Sequence, residues 1–244
     1  MAKILIYDIE TSPNLAYVWG KWQQDVIAFQ SEWELLSWSA KWLGEKKTID
    51  VGRNQFSEEV LVRRLHQLFD EADIVIAHNG DQFDQKMMNA KYIQFGLQPP
   101  SPYRSIDTKK VAKRYFRFNS NKLDDLGALL GLGRKVQTGG FSLWLGCMNN
   151  DTKAWKTMLR YNRQDVLLLE KVYLKLRPWI ENHPALNVID DIQNGCPKCG
   201  STKMHRRGTR KVNKTTTVQR YQCQKCGGWS QGRSTERAHV QYVN

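Results

Sequence analysis

Asp8-Ile9-Glu10 sets two carboxylates two residues apart at the end of the apolar run Lys3–Asp8. In a strand, residues i and i+2 point to the same face. Like charges held side by side are costly unless a cation neutralises them, and Mg²⁺ and Mn²⁺ prefer oxygen ligands. The pattern therefore reads as a hard-metal site, where solvated acids at a strand end would be the bland alternative. A further acid, Asp84, closes the stretch His78-Asn79-Gly80-Asp81-Gln82-Phe83-Asp84, which follows a second apolar run and opens a helix. A carboxylate is favoured at a helix N-terminus by the macrodipole, and His78 by itself reads as structural. Tyr161 and Asp165 stand at i and i+4 of Tyr161-Asn162-Arg163-Gln164-Asp165 and so share a helix face. That helix buries Val166, Leu169, Val172, Tyr173 and Leu176, so Tyr161 alone would read as packing.

Cysteine supplies a second kind of ligand. Cys196-Pro197-Lys198-Cys199 and Cys223-Gln224-Lys225-Cys226 are two C-x-x-C knuckles with 23 residues between them, each followed by a glycine, Gly200 or Gly227. Four thiolates in tetrahedral geometry make a closed structural zinc site. Two paired knuckles argue against a thioredoxin-type redox motif. The total of five cysteines argues against a full disulfide framework and fits a reducing cytoplasm. Cys147 stands apart, as a small buried hydrophobe.

The chain has 244 residues and a formal net charge of +13, a balance that points to a polyanion, with nucleic acid the first candidate. Residues 194–244 carry eleven Lys/Arg and one acid, Glu236, a net of +10 that leaves +3 for residues 1–193. No apolar run approaches the ~20 residues of a membrane helix, and the N-terminal apolar stretch is interrupted by Asp8 and Glu10, so neither secretion nor membrane contact is expected. The domains expected are a catalytic domain over 1–183, a linker over 184–193 and a ribbon over 194–244. With few apolar residues, the last could hardly fold without a metal staple. Tyr221 and Trp229 are available there for stacking on bases.

The elements that must position these groups read as mixed α/β. Strands are predicted at Lys3–Asp8, Leu15–Gly20, Leu35–Leu43, Thr48–Gly52, Asp73–His78 and Thr216–Tyr221, with a turn at Asn213–Lys214. Ser57-Glu58-Glu59 opens a helix whose Val60, Leu61, Leu65, Leu68 and Phe69 recur at helical spacing. Further helices are predicted at Asp84–Phe95, Thr108–Phe118, Leu123–Leu130 and Lys153–Leu176. On the second of these, Lys109, Lys110, Lys113, Arg114 and Arg117 occupy an arc of about 140° without an intervening acid, either a solvated face or a phosphate-tracking stripe.

D-x-E on a first strand, N-x-x-x-F-D at a strand-to-helix junction and Y-x-x-x-D on a late helix together resemble the DEDD superfamily of 3′→5′ exonucleases, in its tyrosine-bearing branch, which includes the proofreading domains of DNA polymerases. The resemblance covers roughly residues 1–180, and Ser120-Asn121-Lys122-Leu123-Asp124-Asp125-Leu126 also looks like family sequence. It implies a ribonuclease H-like mixed sheet flanked by helices, and the two cysteine knuckles beyond it resemble a small zinc ribbon. It also implies two Mg²⁺ (or Mn²⁺) ions beside the single Zn²⁺. Asp8, Glu10 and Asp165 would hold the first ion. Asp8 would bridge to the second, with Asp84 supporting it through water, and Tyr161 would orient the attacking water. Thr11, Asn79 and Phe83 would shape the site of the 3′-terminal nucleotide, with Lys109, Lys113 and Arg117 on the backbone. The expectation is a 3′→5′ exonuclease releasing nucleoside 5′-monophosphates from DNA, with replication or repair proteins as candidate partners. The alternatives are an RNA 3′-end processing exonuclease and a non-catalytic adaptor that binds nucleic acid through the ribbon.

Overall fold

The structure, a computed structural model, describes residues 1–22, 25–213 and 216–237. It divides into two compact units, Lys3–Tyr173 and Leu174–Asn244, the latter joined by Met1 and Ala2.

The first unit is built on a five-stranded sheet. Its strands are β1 (Ile4–Thr11), β4 (Leu35–Trp42), β5 (Ile49–Gly52), β6 (Ile74–Ala77) and β7 (Arg104–Asp107), in the order β5-β4-β1-β6-β7. β1 pairs antiparallel with β4 and parallel with β6, and β7 continues the parallel half. This is the mixed sheet expected. A separate hairpin, β2 (Leu15–Tyr17) and β3 (Ala28–Ser31), follows β1 and is exposed throughout. The helices are α1 (Glu58–Glu71), α2 (Asp84–Gln94), α3 (Thr108–Tyr115), α4 (Leu123–Leu129), α5 (Ser142–Met148) and α6 (Thr152–Leu176).

Alternation along β1 divides its side chains between two environments. Leu5, Tyr7 and Ile9 enter a core with Trp38 of β4, with Leu61, Leu65 and Phe69 of α1 and with Met88 and Tyr92 of α2. Burying side chains of this size stabilises by roughly 1.5–3 kcal/mol each before entropy is counted. Asp8 and Glu10 take the opposite parity and face α6. Ser57 caps α1 by accepting from Val60 N, as its sequence predicts.

Polar ties fix α6 over the sheet. Ser37 on β4 donates to Asn162 (3.4 Å), Arg163 pairs with Asp50 of β5 (2.7 Å), and buried Lys41 of β4 pairs with Glu170. Breaking a buried pair by removing one partner costs several kcal/mol, so these contacts set the helix's height and rotation. Its Trp155 and Met158 pack against Leu36 of β4 and Leu143 and Cys147 of α5. Cys147 is thus the buried hydrophobe expected.

The second unit holds a 3₁₀ turn (Arg177–Trp179), α7 (Leu186–Ile189) within the stretch read as a linker, and a three-stranded antiparallel sheet. That sheet orders β8 (Met204–Lys211), β9 (Thr216–Cys223) and β10 (Trp229–Arg237) as β10-β9-β8. β9 runs two residues past the strand expected, and β8 and β10 lack the apolar alternation that would announce them. The turn expected at Asn213–Lys214 lies partly outside the described residues, since Lys214 is not among them. Among the described residues no helix is long and apolar enough to cross a membrane.

Candidate active site

β1 delivers Asp8 and Glu10, and α6 delivers Asp165. One ligand oxygen from each lies within 4.8 Å of the others. Asp8 and Glu10 keep partial contact with solvent, whereas Asp165 is fully buried. Asn162, one turn before Asp165, fixes the first carboxylate by donating from Nδ2 to Asp8 Oδ2 (2.8 Å) and to the Asp8 carbonyl (3.2 Å).

The packing of these acids resists their ionisation. Loss of hydration, then Glu10, Asp84 and Asp165, push Asp8 well above the usual carboxylate range. Desolvation and then Asp165 push Glu10 up to about 8. Asp165 is raised by burial, with Lys135 pulling against it. Asp165 Oδ1 is buried without a hydrogen-bond partner. Three clustered oxygens, raised carboxylates and an orphaned acceptor are what a divalent cation would satisfy, so the residues fit a hard-metal ion.

Asp84 arrives differently. β6 ends at Ala77, Asn79 takes a left-handed conformation (φ 74°), and the chain turns into α2. A Cβ on Gly80 would lie 2.3 Å from that of Ala77, so only glycine allows this turn. Asp84, at the first position of α2, accepts from Ile9 N (3.3 Å) and is buried. Burial pushes it up to about 6. It therefore lies beside β1, outside the group of three clustered oxygens. Asn79 N donates to Asp107 Oδ1 (2.9 Å), an oxygen that also caps α3. His78 contacts the Thr108 hydroxyl (2.8 Å) and the Asn121 carbonyl (2.9 Å), and burial lowers it to about 4. A neutral ring then donates from Nε2 to that carbonyl and accepts at Nδ1, a tie between loops in keeping with its structural reading.

Lys135 is the functional-site residue the sequence did not announce. It has no helix or strand of its own. Its backbone N–H donates to Asp124 Oδ1 (2.7 Å), and its ammonium lies 2.5 Å from Asp165 Oδ2 while donating to the Tyr161 hydroxyl (3.0 Å). Burial works against this ammonium, but Asp165 and Tyr161 outweigh it and hold its proton more tightly than usual. Burial, then Glu10 and Asp165, keep the Tyr161 phenol neutral. Asn162 was also unmarked, although its polarity inside a core-facing helix was a usable signal.

The remaining expectations separate. Thr11 ends β1 at a register shift, and Phe83 is exposed at the start of α2. Lys109 is half-buried and Lys113 exposed on α3. Arg117 is not on that helix, because Phe116 turns extended (φ −137°, ψ 156°) and ends it at Tyr115. The stripe also has an acid after all, since Asp81 pairs with Lys110 at 2.7 Å.

In the second unit Cys196, Cys199, Cys223 and Cys226 place their sulfurs within 4.8 Å of one another. Cys196 and Cys226 are 3.7 Å apart, and Cys199 and Cys223 3.6 Å. Gly200 and Gly227 follow the knuckles at φ 70° and 78°, the left-handed turns their sequence positions called for. This is the four-cysteine ribbon expected.

A search of known proteins places the first unit in context. A stretch of 75 residues, 30% of this chain, is 31% identical to the PolC-type DNA polymerase III of Ureaplasma parvum serovar 3, of which it spans 5%. The fold superposes on the family B DNA polymerase of the hyperthermophilic archaeon Pyrobaculum calidifontis with a TM-score of 0.57 at 14% identity, covering 73% of this chain and 25% of that one. The chain thus spans a small part of either polymerase. The RNase H superfamily profile matches residues 5–177, a span that includes every carboxylate of the site, and the chain belongs to that superfamily.

Proposed function

We propose that the protein is a divalent-metal-dependent 3′→5′ exonuclease that releases nucleoside 5′-monophosphates from DNA ends. The observation that carries this reading is the convergence of Asp8, Glu10 and Asp165 within 4.8 Å, beside a neutral Tyr161. Asp8, Glu10 and Asp165 would hold one Mg²⁺ or Mn²⁺, and Asp8 and Asp84 would help to hold a second. Bound there, the ions would activate water and stabilise the leaving oxygen of an in-line displacement. Asn162 holds the Asp8 carboxylate in one orientation. Tyr161, which keeps its proton, orients the attacking water rather than taking a proton from it. Lys135 offsets part of the negative charge around Asp165. Thr11, Asn79 and Phe83 shape the terminal-nucleotide site, and Lys109 and Lys113 meet the backbone.

Cys196, Cys199, Cys223 and Cys226 would hold Zn²⁺, which soft thiolates favour over Mg²⁺, in a reducing compartment such as the cytoplasm. The +10 charge of residues 194–244 supports a role for the ribbon in gripping the substrate. DNA is the substrate in this reading because both relatives are DNA polymerases, and a replication or repair setting follows from the same likeness.

End-labelled DNA and RNA, single-stranded and duplex, test it directly. With Mg²⁺, mononucleotides should leave from 3′ ends of DNA. Rapid cutting of closed circular DNA, or full turnover without a divalent ion, would overturn the reading.

A further inference from the structure

We propose that the second unit carries a base-stacking groove for single-stranded nucleic acid, formed by Trp179, Trp229, Arg210 and Arg220. The proposal rests on the nuclease reading above and gives its ribbon a defined binding site.

Strand register assigns the groove's sheet face. Trp229 pairs with Gln222 and Gln231 with Arg220 across β9 and β10, while Arg210 pairs with Val218 across β8 and β9. Directly paired residues share a face, and faces alternate along a strand. Trp229, Arg220 and Arg210 therefore stand on one face. Tyr221, paired with Ser230, points to the other face, so of the two aromatics noted in the sequence only Trp229 belongs to this groove.

Trp179, from the 3₁₀ turn of the same unit, joins this face. Both tryptophans line a groove of about 650 Å³ together with Arg210, Arg220 and Glu181. That volume is within the roughly 300–1,000 Å³ of small-molecule sites. Trp179 is 60% and Trp229 48% exposed, so both side chains present surface within reach of a planar guest. The Arg220 guanidinium lies 5.7 Å from the Trp229 ring centroid and props it in place. Both arginines are exposed at the sheet surface, and among the described residues Glu181 is the single acid of the lining.

The chemistry selects the guest. Aromatic faces take bases of any sequence, and flanking guanidiniums take phosphates. The bases must be unpaired to reach the rings. The surrounding segment carries a net charge of +10, complementary to a polyanion and poorly matched to a basic or purely apolar partner.

The test uses the full chain with its zinc, in buffer free of Mg²⁺, and fluorescence anisotropy of 5′-labelled dT and rU 20-mers. Trp179→Ala and Trp229→Ala should each weaken binding on the order of tenfold, the scale of one lost stack, without changing its salt slope. Trp229→Phe should recover most of that loss. The Arg210→Ala/Arg220→Ala variant should lower the salt slope by about 1.4, two single-strand phosphate contacts at ~0.7 each. Affinity for a 20-bp duplex should change less than about twofold in the tryptophan variants, because paired bases cannot stack on the rings. If Trp229→Ala loses zinc, Trp179→Ala, whose residue lies outside the ribbon strands, decides. Zinc-loaded variants that bind the 20-mers like wild type would overturn the groove and assign the face to a protein. Hydrolysis of 3′-labelled DNA in Mg²⁺, measured in parallel, separates the two readings. Its persistence with unmoved affinities overturns the groove alone, while absence of both hydrolysis and strand binding overturns the nuclease reading and the groove together.

Discussion

Both ligand clusters gather groups that repel one another when ionised, yet they sit on very different foundations. The carboxylates rest on a sheet whose core includes Tyr7, Trp38, Phe69, Met88 and Tyr92, and α6 is locked over them by Lys41–Glu170 and Arg163–Asp50. That framework is fixed by its own packing and ion pairs, and burial and mutual proximity raise the pKa values of the acids it gathers. The cysteines lie in a unit where few apolar side chains are buried among the described residues, Ile180, Leu186 and Val218 being examples. There the ligands themselves are a large part of the interior, with Cys196 and Cys223 buried. The difference teaches what each metal would do. Loss of the hard ions should cost chemistry and leave the fold intact, and loss of the soft ion should cost local structure and leave the chemistry largely intact.

The sharpest test of the first half is removal of a carboxylate. Asp8→Ala, Glu10→Ala and Asp165→Ala should each lower kcat by ~10³-fold or more, since metal catalysis contributes several kcal/mol and each 1.36 kcal/mol is tenfold. The first unit should stay folded, with unchanged circular dichroism. A variant that unfolds would break the contrast, because the acids would then be structural. Next in size is Tyr161→Phe, expected to lose about 10–10³-fold in kcat, the scale of one transition-state hydrogen bond. If it matched Asp165→Ala at equal Mg²⁺, the phenol would be supporting the metal and not the water.

The two clusters also differed in how far the sequence disclosed them. Asp8 and Glu10 were legible because strand alternation is local, and Tyr161 and Asp165 because helical spacing is local. The cysteine pairs were legible because C-x-x-C spacing is local and repeated. Lys135 was not, because a loop residue held by Asp124 has no period and its partners lie 26 and 30 positions away. β7 was missed because only Ile106 marks its short parallel run as apolar, while Arg104 and Ser105 are exposed. Arg117 was misplaced because the sequence favoured one more turn of α3 than Phe116 allows. That Tyr221 and Trp229 lie on opposite faces was not legible, because register across three strands cannot be read from one of them.

Cys199→Ser probes the second half of the contrast and should have a smaller effect on activity. Metal analysis should show zinc falling from one per chain towards none. On a short substrate, kcat should remain within about threefold of wild type. On a long strand KM should rise on the order of tenfold, as expected when binding shared by ground and transition states is lost. A collapse of kcat on the short substrate would show that the ribbon helps to build the active site, and the separation of roles would fail.

The smallest effect is a pH signature of the carboxylate site in protein stripped of divalent ions. Glu10 is pushed up to about 8 from a usual value of 4.5, and Asp84 up to about 6 from 3.8. A carboxyl with a raised folded-state pKa binds protons more tightly when folded. Its contribution to stability is complete below the unfolded value and is lost as pH rises through the folded one. Dialysed free of Mg²⁺, with its zinc retained, the protein should therefore melt at progressively lower temperature from pH 6 to pH 8. A fall of about 3–6 °C corresponds to roughly 1–2 kcal/mol at this chain length. Mg²⁺ competes with those protons, so its stabilising effect should grow over the same interval. Glu10→Gln, which cannot ionise, should flatten both trends, and because the comparison is between two proteins of the same two units, any titration of the ribbon cancels. Equal slopes for wild type and Glu10→Gln would mean that the strain of the acidic cluster is relieved some other way, with Lys135 beside Asp165 the first group to substitute.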